Sequence, residues 1–347
     1  MQALILAGGR GTRLRPLTVY TPKPVVSVVN RPFLIYQIEI LAKAGVKDIK
    51  LSLSYLPDKI EDVLGDGSEL GVKLTYITEP APLGTAGAFG YAADHIAETT
   101  LVLNGDVLTD IDIGDLISFH SANKSQATLV LTPVADPTAY GLVESAADGA
   151  IRRFLEKPKL EDLEHISTRN INAGIYVLEP TILDLVPKGE SSSFEYNVFP
   201  AILEKELPFY AYVLDRKYWR DIGTPSSYLS AHHDFLDGKI NKLVADVGES
   251  DSDIATAAVV DRISVLGAGC VVKPGARISR SVIGPGVHVD EKAVIENSVI
   301  WSHTRVSAAA EVHDAVIARG CHIGRSVEVR AGAVLGDKTM LPDYSRT

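Results

Sequence analysis

The first 100 residues alternate short apolar runs with stretches in which apolar residues recur every three or four positions. The short runs predict buried strands at residues 3–7, 48–54, 73–77 and 100–103. The longer spacing predicts helices at residues 33–44, 57–64 and 85–96. Strands that alternate with helices indicate an α/β fold with a doubly wound, mostly parallel sheet. Such a sheet binds ligands beyond the carboxyl ends of its strands.

A different pattern runs from Leu266 to Leu335. Aliphatic residues follow one another at steps of six, six and five, so the pattern repeats every 17 residues over about four coils. The residue four positions after each aliphatic is small or β-branched, and we expect these twelve residues to face inward: Cys270, Ala276, Val282, Val287, Ala293, Val299, Thr304, Ala310, Val316, Cys321, Val327 and Ala333. This period predicts a parallel β-helix of hexapeptide repeats.

The change of pattern predicts two domains joined by a linker. Residues 1–240 would form the α/β domain, and residues 261–347 would form the β-helix. Residues 241–260 contain the polar, acidic stretch VGESDSDI and read as the linker.

The spacing of residues 225–241 predicts an amphipathic helix that packs Tyr228 and Phe235 toward a core. It also carries the adjacent pair His232 and His233. Neighbouring residues point about 100° apart on a helix. We therefore expect two surface histidines rather than two ligands of one metal ion.

The composition is that of an ordinary globular protein, with 347 residues of which 46% are hydrophobic and 22% are charged. A net charge of −10 argues against a general binder of nucleic acid or of an anionic membrane. No apolar run approaches the roughly 18 residues of a membrane span. No basic leader precedes residues 3–7, so we expect a cytoplasmic protein.

The two cysteines, Cys270 and Cys321, are 51 residues apart, which is three coils of 17 residues. They would therefore occupy the same inward position in coils roughly 14 Å apart, at about 4.8 Å per coil. A disulfide cannot span that distance. We expect both thiols to be buried and reduced.

Glycines and basic residues follow the first predicted strand. Gly8, Gly9 and Gly11 come directly after it, and residues 1–37 contain five basic side chains and no acidic one. Glycines let the backbone turn and bring its N–H groups close to a ligand. The segment therefore predicts an anion-binding loop. Its glycine spacing matches neither common phosphate-binding motif, and a tight strand-to-helix turn is the alternative.

Two aspartates are candidate metal ligands. Asp106 ends the run LVLNGD, and Asp221 lies in YWRDIGTP, after a strand predicted at residues 210–214. A carboxylate at the carboxyl edge of a strand lies where a ligand would bind, although a lone aspartate there also caps turns. Mg²⁺ prefers one or two carboxylates plus substrate phosphates, so the pair would form a magnesium site if the fold brings them together.

The stretch GGRGTRLRPLTVYTPKP, residues 8–24, resembles the signature of the sugar-1-phosphate nucleotidyltransferases. The resemblance implies an enzyme that joins a nucleoside triphosphate to a sugar 1-phosphate on a Rossmann-like domain. Several members of this family also carry a C-terminal left-handed β-helix and use it for subunit contacts. We therefore expect a homo-oligomer that uses Mg²⁺ held by Asp106 and Asp221.

The resemblance also assigns functional residues by position. The nucleotide would be bound by Leu6, Ala7, Gly8, Gly9, Gly11, Thr12, Arg13, Glu79, Gly84 and Thr85. The sugar phosphate would be bound by Gly141, Glu156, Lys157 and Asn172. The catalytic residues would be Arg13, Lys23, Asp106 and Asp221.

Glu79 bears on the choice of base. An ionised carboxylate only accepts hydrogen bonds, and guanine offers N1–H and N2–H₂ as adjacent donors. Glu79 therefore favours guanine, whereas the pyrimidine-using relatives would have glutamine at this position. The alternative is that Glu79 faces solvent and a backbone group reads the base.

These expectations lead to one hypothesis and several rivals. The hypothesis is that GTP and mannose 1-phosphate give GDP-mannose and pyrophosphate. Within the same class, the rival substrates are dTTP or UTP with glucose 1-phosphate. The protein could instead be a catalytically silent subunit that binds a nucleotide sugar. Because β-helices also occur in acyltransferases, the C-terminal histidines are conceivable bases, although surface positions suit them better: His288, His303, His313 and His322.

Overall fold

A computed structural model describes residues 1–163, 166, 168–240 and 251–347 of the chain. It divides into two compact units. The first comprises Met1–Arg10 and Leu34–Trp219, and the second comprises Gly11–Phe33 and Arg220–Thr347. Most of the glycine-rich, basic signature is thus grouped with the C-terminal part of the chain.

The first unit is built on a nine-stranded mixed sheet. Seven strands lie in the order Ile151–Glu156, Gly141–Ser145, Asn170–Leu178, Thr100–Asn104, Gln2–Leu6, Asp48–Leu53 and Lys73–Thr78. Strand Ala127–Pro133 pairs with Asn170–Leu178 and with Phe209–Val213. The predicted α/β fold is confirmed. The strands that precede residue 105 are parallel, and Asn170–Leu178 joins them in the antiparallel direction.

The helices of this unit follow the predicted apolar spacing. Their bounds are Phe33–Lys43, Pro57–Leu64, Gly84–Tyr91, Ile113–Ala122, Leu160–Leu163 and Phe199–Glu204. The first residue of the first helix, Phe33, is also the last residue of the segment that belongs to the second unit. The third ends earlier than predicted because a separate 3₁₀ turn, Ala93–His95, takes the rest of the stretch. Among the described residues, no helix is both long enough and apolar enough to cross a membrane.

Most of the second unit is a parallel β-helix of three sheets. One sheet contains Asp253–Ile254, Val271–Val272, His288–Val289, Arg305–Val306, His322–Ile323 and Met340–Leu341. The second contains Val259–Val260, Arg277–Ser279, Val294–Glu296, Glu311–His313 and Glu328–Val329. The third contains Val265–Leu266, Val282–Ile283, Val299–Ile300, Val316–Ile317 and Val334–Leu335. Central strands pair with residues 17 positions further on, which confirms the predicted coil length.

The first strands of this β-helix lie within the second half of the predicted linker. Residues 241–250, its first half, lie outside the described residues. Before the β-helix, the unit contains the helix Pro225–Leu236 and the short hairpin Ser27–Val28 with Arg31–Pro32.

The interior of the β-helix differs from the prediction at the five-residue step. Val282, Val299 and Val316 were expected to face inward, but each precedes an isoleucine that belongs to the interior cluster. Because adjacent strand residues point to opposite faces, these valines face outward, where they are buried. The shorter step places the small inward residue one position earlier, as at Ser298 and Ala315, where Ala315 N donates to Ser298 Oγ at 3.1 Å.

The prediction for the cysteines is confirmed. Cys270 and Cys321 are both free and buried. Their thiols donate to backbone carbonyls, Cys270 to Gly284 at 3.2 Å and Cys321 to Gly336 at 3.1 Å. Burial raises the pKa of both thiols, which keeps them in the unreactive protonated form.

The prediction of two surface histidines is wrong for His232, which is 1% exposed. Burial lowers its pKa to about 3, and the neighbouring His233 contributes in the same direction. The helix carries more buried positions than its amphipathic pattern shows, because it packs inside the second unit on more than one side. Tyr228 and Phe235 are buried as expected.

Candidate active site

The first glycines of the signature form a close-packed turn after strand Gln2–Leu6. Ala7 N donates to Ser52 O at 2.9 Å, and Ser54 Oγ donates to Gly8 O at 2.5 Å. A methyl group at Gly8 would lie 3.1 Å from both Ser54 Oγ and Glu79 Oε1, so a side chain here would displace its neighbours. Gly9 is exposed, and a methyl group there would have no other atom within 4 Å. The turn therefore keeps one packed face and one accessible backbone face.

Glu79 is buried beneath this turn, at 6% exposure. Ser52 Oγ donates to its Oε1 at 2.8 Å, and Leu83 N donates to its Oε2 at 3.0 Å. The alternative in which Glu79 faces solvent is therefore wrong. The carboxylate links the turn at Gly8 to the segment that leads into Gly84 and Thr85.

Gly84 and Thr85 are held against residues 192–195. Gly84 has φ +75°, and a methyl group there would lie 2.5 Å from Ser192 O. Thr85 Oγ1 accepts from Phe194 N at 3.0 Å and donates to Glu195 Oε2 at 3.0 Å. Two independent anchors, Glu79 and Glu195, thus fix the predicted nucleotide-binding segment within the first unit.

Asp106 lies beside the start of the glycine-rich turn. Gly105 N donates to Leu6 O at 2.8 Å, and a methyl group at Gly105 would come within 3.0 Å of the Ala7 side chain. This close approach is possible because residue 105 lacks a side chain. Asp106 therefore follows a backbone that is packed directly against Leu6 and Ala7.

The predicted sugar-phosphate residues converge at one edge of the same sheet. Glu156 pairs with Gly141 across two antiparallel strands, and a methyl group at Gly141 would lie 2.8 Å from Glu156 Oε2. Lys157 N donates to Tyr140 O at 3.0 Å, and its ammonium lies 3.9 Å from Glu156 Oε1. The Lys157 side chain is 62% exposed, so its charge is accessible to a ligand.

Asn172 connects this edge to the Asp106 motif. Its Oδ1 accepts from Gly174 N at 3.0 Å, and its Nδ2 donates to Tyr176 Oη at 3.0 Å. A methyl group at Gly174 would lie 2.6 Å from Asn104 Nδ2. The motifs Asn172-Ala173-Gly174 and Asn104-Gly105-Asp106 are therefore neighbours.

Two residues that the sequence did not point to join this region. Glu195 accepts from Thr85, from Ser193 Oγ at 2.5 Å and from Tyr176 Oη at 3.4 Å. It therefore contacts Thr85 of the predicted nucleotide-binding set directly and Asn172 of the sugar-phosphate set through Tyr176. Trp219 Nε1 donates to Ala173 O at 2.8 Å. Glu195 lies in the short π-helix Phe194–Val198 with no motif around it, whereas the position of Trp219 two residues before Asp221 was an available signal.

The electrostatics of the pocket are set by Glu156 and Glu195. Burial raises the pKa of Glu156, the negative charge of Glu195 raises it further, and Lys157 opposes both. Burial and the same Glu195 charge also raise the pKa of Tyr176 well above its ordinary value. The pocket thus combines two carboxylates, a neutral phenol and one cation.

The remaining predicted residues belong to the second unit. Gly11 has φ +60° and begins the turn Thr12–Leu14, whose Leu14 is fully buried. A methyl group at Gly11 would lie 3.0 Å from Lys23 Cβ, so Lys23 lies directly across from this turn. A methyl group at Gly223 would lie 2.8 Å from Asp221 Oδ2 and 3.1 Å from Arg13 Nη2. The carboxylate and the guanidinium therefore share the space beside one glycine.

The structure thus assembles the predicted residues in two groups. The first unit holds Leu6, Ala7, Gly8, Gly9, Glu79, Gly84, Thr85, Asp106, Gly141, Glu156, Lys157 and Asn172. The second unit holds Gly11, Thr12, Arg13, Lys23 and Asp221. Within the described parts of the chain, no cluster of three or more histidine, cysteine or acidic side chains has metal-binding geometry. The two-aspartate metal site stays a prediction.

Comparison with known proteins divides the chain into an N-terminal and a C-terminal family, with the boundary between residues 238 and 248. The family described as nucleotidyl transferase matches residues 2–238. The family described as the EIF2B subunit epsilon LbH domain matches residues 248–345.

The chain is similar along most of its length to curated enzymes. It is 37% identical over 290 residues to mannose-1-phosphate guanylyltransferase of Mycobacterium tuberculosis, and this alignment covers 80% of this chain and 78% of that protein. It is 38% identical over 277 residues to mannose-1-phosphate guanyltransferase of Schizosaccharomyces pombe, covering 78% and 74%. A solved structure of a putative glucose-1-phosphate thymidylyltransferase from Bacillus anthracis superposes with a TM-score of 0.60 at 26% identity, covering 67% of this chain and 94% of that one.

Proposed function

Because the chain belongs to the nucleotidyl transferase family, we propose that it joins GTP to mannose 1-phosphate, forming GDP-mannose and pyrophosphate. The observation that carries the substrate pair is the similarity to mannose-1-phosphate guanylyltransferases over four fifths of the chain. The first unit supports it, since the anchored turn at Gly8 and the Glu156 pocket adjoin the same Asp106 motif.

The reaction needs no covalent intermediate with the protein. An oxygen of the sugar phosphate attacks the α-phosphorus of GTP, and the bond to the β-phosphate oxygen breaks as pyrophosphate leaves from the opposite side. Catalysis is then positioning and charge neutralisation. Lys157 holds the attacking phosphate, Arg13 and the backbone of residues 8–12 hold the departing pyrophosphate, and Lys23 stabilises charge at the α-phosphate.

Asp106 and Asp221 suit a hard divalent cation such as Mg²⁺, because their oxygens are the ligands that it prefers. The tight packing of Gly105 against Leu6 and Ala7 keeps Asp106 beside the phosphate-binding turn. When bound, Mg²⁺ supplies neutralisation of the phosphate charge. Glu156 and Asn172 accept hydrogen bonds from the sugar hydroxyls, and their positions relative to Gly141 and Tyr176 orient the ring.

Glu79 is the proposed reader of guanine. Each of its oxygens accepts one protein hydrogen bond, which leaves one lone pair per oxygen for N1–H and N2–H₂. We expect Glu79→Gln to lower kcat/KM for GTP by roughly 10- to 100-fold, because the amide replaces one acceptor with a donor. The values for UTP and dTTP should change much less. The measurement is kcat/KM for each triphosphate at fixed mannose 1-phosphate.

Ser52→Ala is the matched control for this test. It removes a donor to Glu79 without changing the group that faces the base, so it should lower kcat/KM for all triphosphates by the same factor. If Glu79→Gln also lowers kcat/KM for all triphosphates by the same factor, Glu79 only anchors the loop at Leu83 and does not read the base.

The pH dependence of sugar-phosphate use should report the pair Glu156 and Glu195. Glu195→Gln removes a negative charge that raises the pKa of Glu156, so the ionised form of Glu156 should persist to lower pH. We expect the acidic limb of kcat/KM for mannose 1-phosphate to move to lower pH. The exposed Glu206→Gln should leave the limb in place. An unmoved limb in Glu195→Gln would show that ionisation of Glu156 does not limit binding.

Pyrophosphate release tests the function itself. The purified protein with Mg²⁺ would be offered GTP, dTTP, UTP, ATP and CTP, each with mannose or glucose 1-phosphate. We expect selective turnover of GTP with mannose 1-phosphate. Preference for a pyrimidine triphosphate would replace the substrate pair within the same reaction, and absence of turnover with every pair would favour a regulatory subunit that binds a nucleotide sugar.

We extend the proposal to a homo-oligomer formed through the β-helix. Both of its terminal coils expose apolar side chains, with Val259 at 60% and Met340 at 76% exposure. A β-helix of few coils ends in open sheet edges, which are commonly covered. Light scattering at several protein concentrations would reveal a mass above 37.3 kDa, and a monomer at all of them would refute the extension.

A further inference from the structure

Residues 16–30 run along the side of the β-helix and contact it coil by coil. A methyl group at Gly336 would lie 3.2 Å from Pro16 Cβ, and Arg319 Nη2 donates to Thr21 Oγ1 at 3.3 Å. At the other end, Asn30 Nδ2 donates to Ile283 O at 2.9 Å. Trp301 makes a further contact through Tyr228. The four positions 283, 301, 319 and 336 follow one another at intervals of 17 or 18 residues, which is one coil. The segment therefore spans the coils in reverse order.

The contact at the second of these coils passes through Tyr228, which is fully buried in the helix Pro225–Leu236. Its hydroxyl donates to Ser27 O and accepts from Trp301 Nε1 at 2.9 Å. The two rings meet nearly edge to face, with centroids 6.4 Å apart. One hydroxyl thus joins the β-helix to the backbone of residues 11–33, the signature segment.

His232 adds a second tie to the same backbone. Its ring packs on Tyr228 with centroids 4.6 Å apart, and Val29 N donates to its Nδ1 at 3.4 Å. With its pKa lowered to about 3, the ring stays neutral and Nδ1 remains an acceptor at physiological pH. The neutral ring therefore provides an acceptor for Val29 N at a buried position of the helix.

The same helix also holds Asp221. Ser227 Oγ donates to Asp221 O, and Thr224 caps the first turn by accepting from Ser227 N at 3.2 Å. Ser227 and Tyr228 are adjacent, so one helical turn links Asp221, the signature segment and the β-helix. The signature segment itself has only 3₁₀ turns and a short hairpin, which cannot hold charged side chains in place without outside support.

We propose that the β-helix is part of the catalytic apparatus: it is the scaffold that positions Arg13, Lys23 and Asp221, with Tyr228 and Trp301 as positioning residues. Lys23 lies between the anchored residues Thr21 and Ser27, and Arg13 lies three residues before Pro16. The inference rests on the proposed function, because turnover is its main readout.

The test uses Tyr228→Phe and Trp301→Phe in the full chain, and both keep an aromatic ring. Tyr228→Phe removes the hydrogen bonds to Ser27 O and from Trp301 Nε1, and Trp301→Phe removes only the second of these. We expect kcat to fall roughly tenfold, because small misplacement of charged groups is costly to turnover. The KM for mannose 1-phosphate should stay within about twofold, since its proposed residues lie in the other unit. Trypsin should also cut both variants faster after Arg10 and Arg13. This cleavage rate measures how firmly the segment is held, and it does not depend on enzymatic turnover.

A double-mutant cycle separates positioning from general destabilisation. If Tyr228 positions Arg13, Tyr228→Phe should lower kcat less in an Arg13→Ala background than in the wild-type chain. The exposed Tyr344→Phe on the last coil is the matched control and should change neither rate. Full additivity with Arg13→Ala, or an unchanged tryptic rate in both variants, would overturn the inference. Absence of turnover in the wild-type chain would instead refute the proposed function, and the tryptic rates would still decide the scaffold role.

Discussion

Asp106→Asn is expected to lower kcat by about 10²- to 10³-fold while leaving the folded state intact. Removing one group that stabilises charge in a transition state has an effect of this size. The substitution preserves the shape of the side chain and removes its negative charge, and the packing of Gly105 against Leu6 and Ala7 does not depend on that charge. The checks are kcat at saturating substrates and the thermal midpoint.

Two controls make this result interpretable. Asp94→Asn changes an exposed aspartate of the same unit and should leave kcat unchanged. Titration with Mg²⁺ should show that Asp106→Asn requires a higher metal concentration for its residual rate. Turnover within a few-fold of wild type would show that Asp106 is not a metal ligand.

Lys157→Met should lower kcat/KM for mannose 1-phosphate by about 100-fold, because the only cation placed at the Glu156 pocket within the described residues is lost. The methionine keeps the unbranched stem, and the backbone bond from Lys157 N to Tyr140 O is unaffected. Without the ammonium, the charge of Glu156 and Glu195 also repels the incoming phosphate. The KM for GTP should change little, which initial rates at varied concentrations of both substrates would show.

The neighbouring Lys159 provides the control for charge alone. Lys159 is exposed and lies two residues after Lys157. Lys159→Met also removes one positive charge, but it should leave kcat/KM for mannose 1-phosphate unchanged. Equal losses in the two variants would mean that Lys157 contributes only to the general field. A loss confined to GTP would place Lys157 on the nucleotide side of the site.

Local and periodic features could be predicted from the sequence. The strands and helices of the first hundred residues follow from their apolar spacing, since burial of a strand or a helix face requires that spacing. The coil of 17 residues and the buried, unpaired cysteines follow from a repeat in which every turn meets the same environment. The motif residues at positions 8, 84, 105 and 141 are glycines because each backbone approaches another chain segment too closely for a side chain.

What the sequence could not provide depends on contacts between distant segments. Glu195 reaches Thr85 and Tyr176 from the short π-helix Phe194–Val198, and no local pattern marks it. His232 looks like a surface residue until Tyr228 and Val29 enclose it. The valines at 282, 299 and 316 fit the repeat in either orientation. The structure shows that they face outward, because the isoleucine that follows each of them belongs to the interior cluster.

The association of residues 11–33 with the β-helix shows the same division most clearly. The sequence by itself determines that this segment is basic, glycine-rich and suited to anions, and that a regular coil follows 230 residues later. Only the tertiary structure decides that the two pack together, because the contacts between residues 16–30 and successive coils are long-range hydrogen bonds and close approaches. The hydrogen bonds of the Tyr228 hydroxyl join residues that are 201 and 73 positions apart in the chain, so no local pattern can show them.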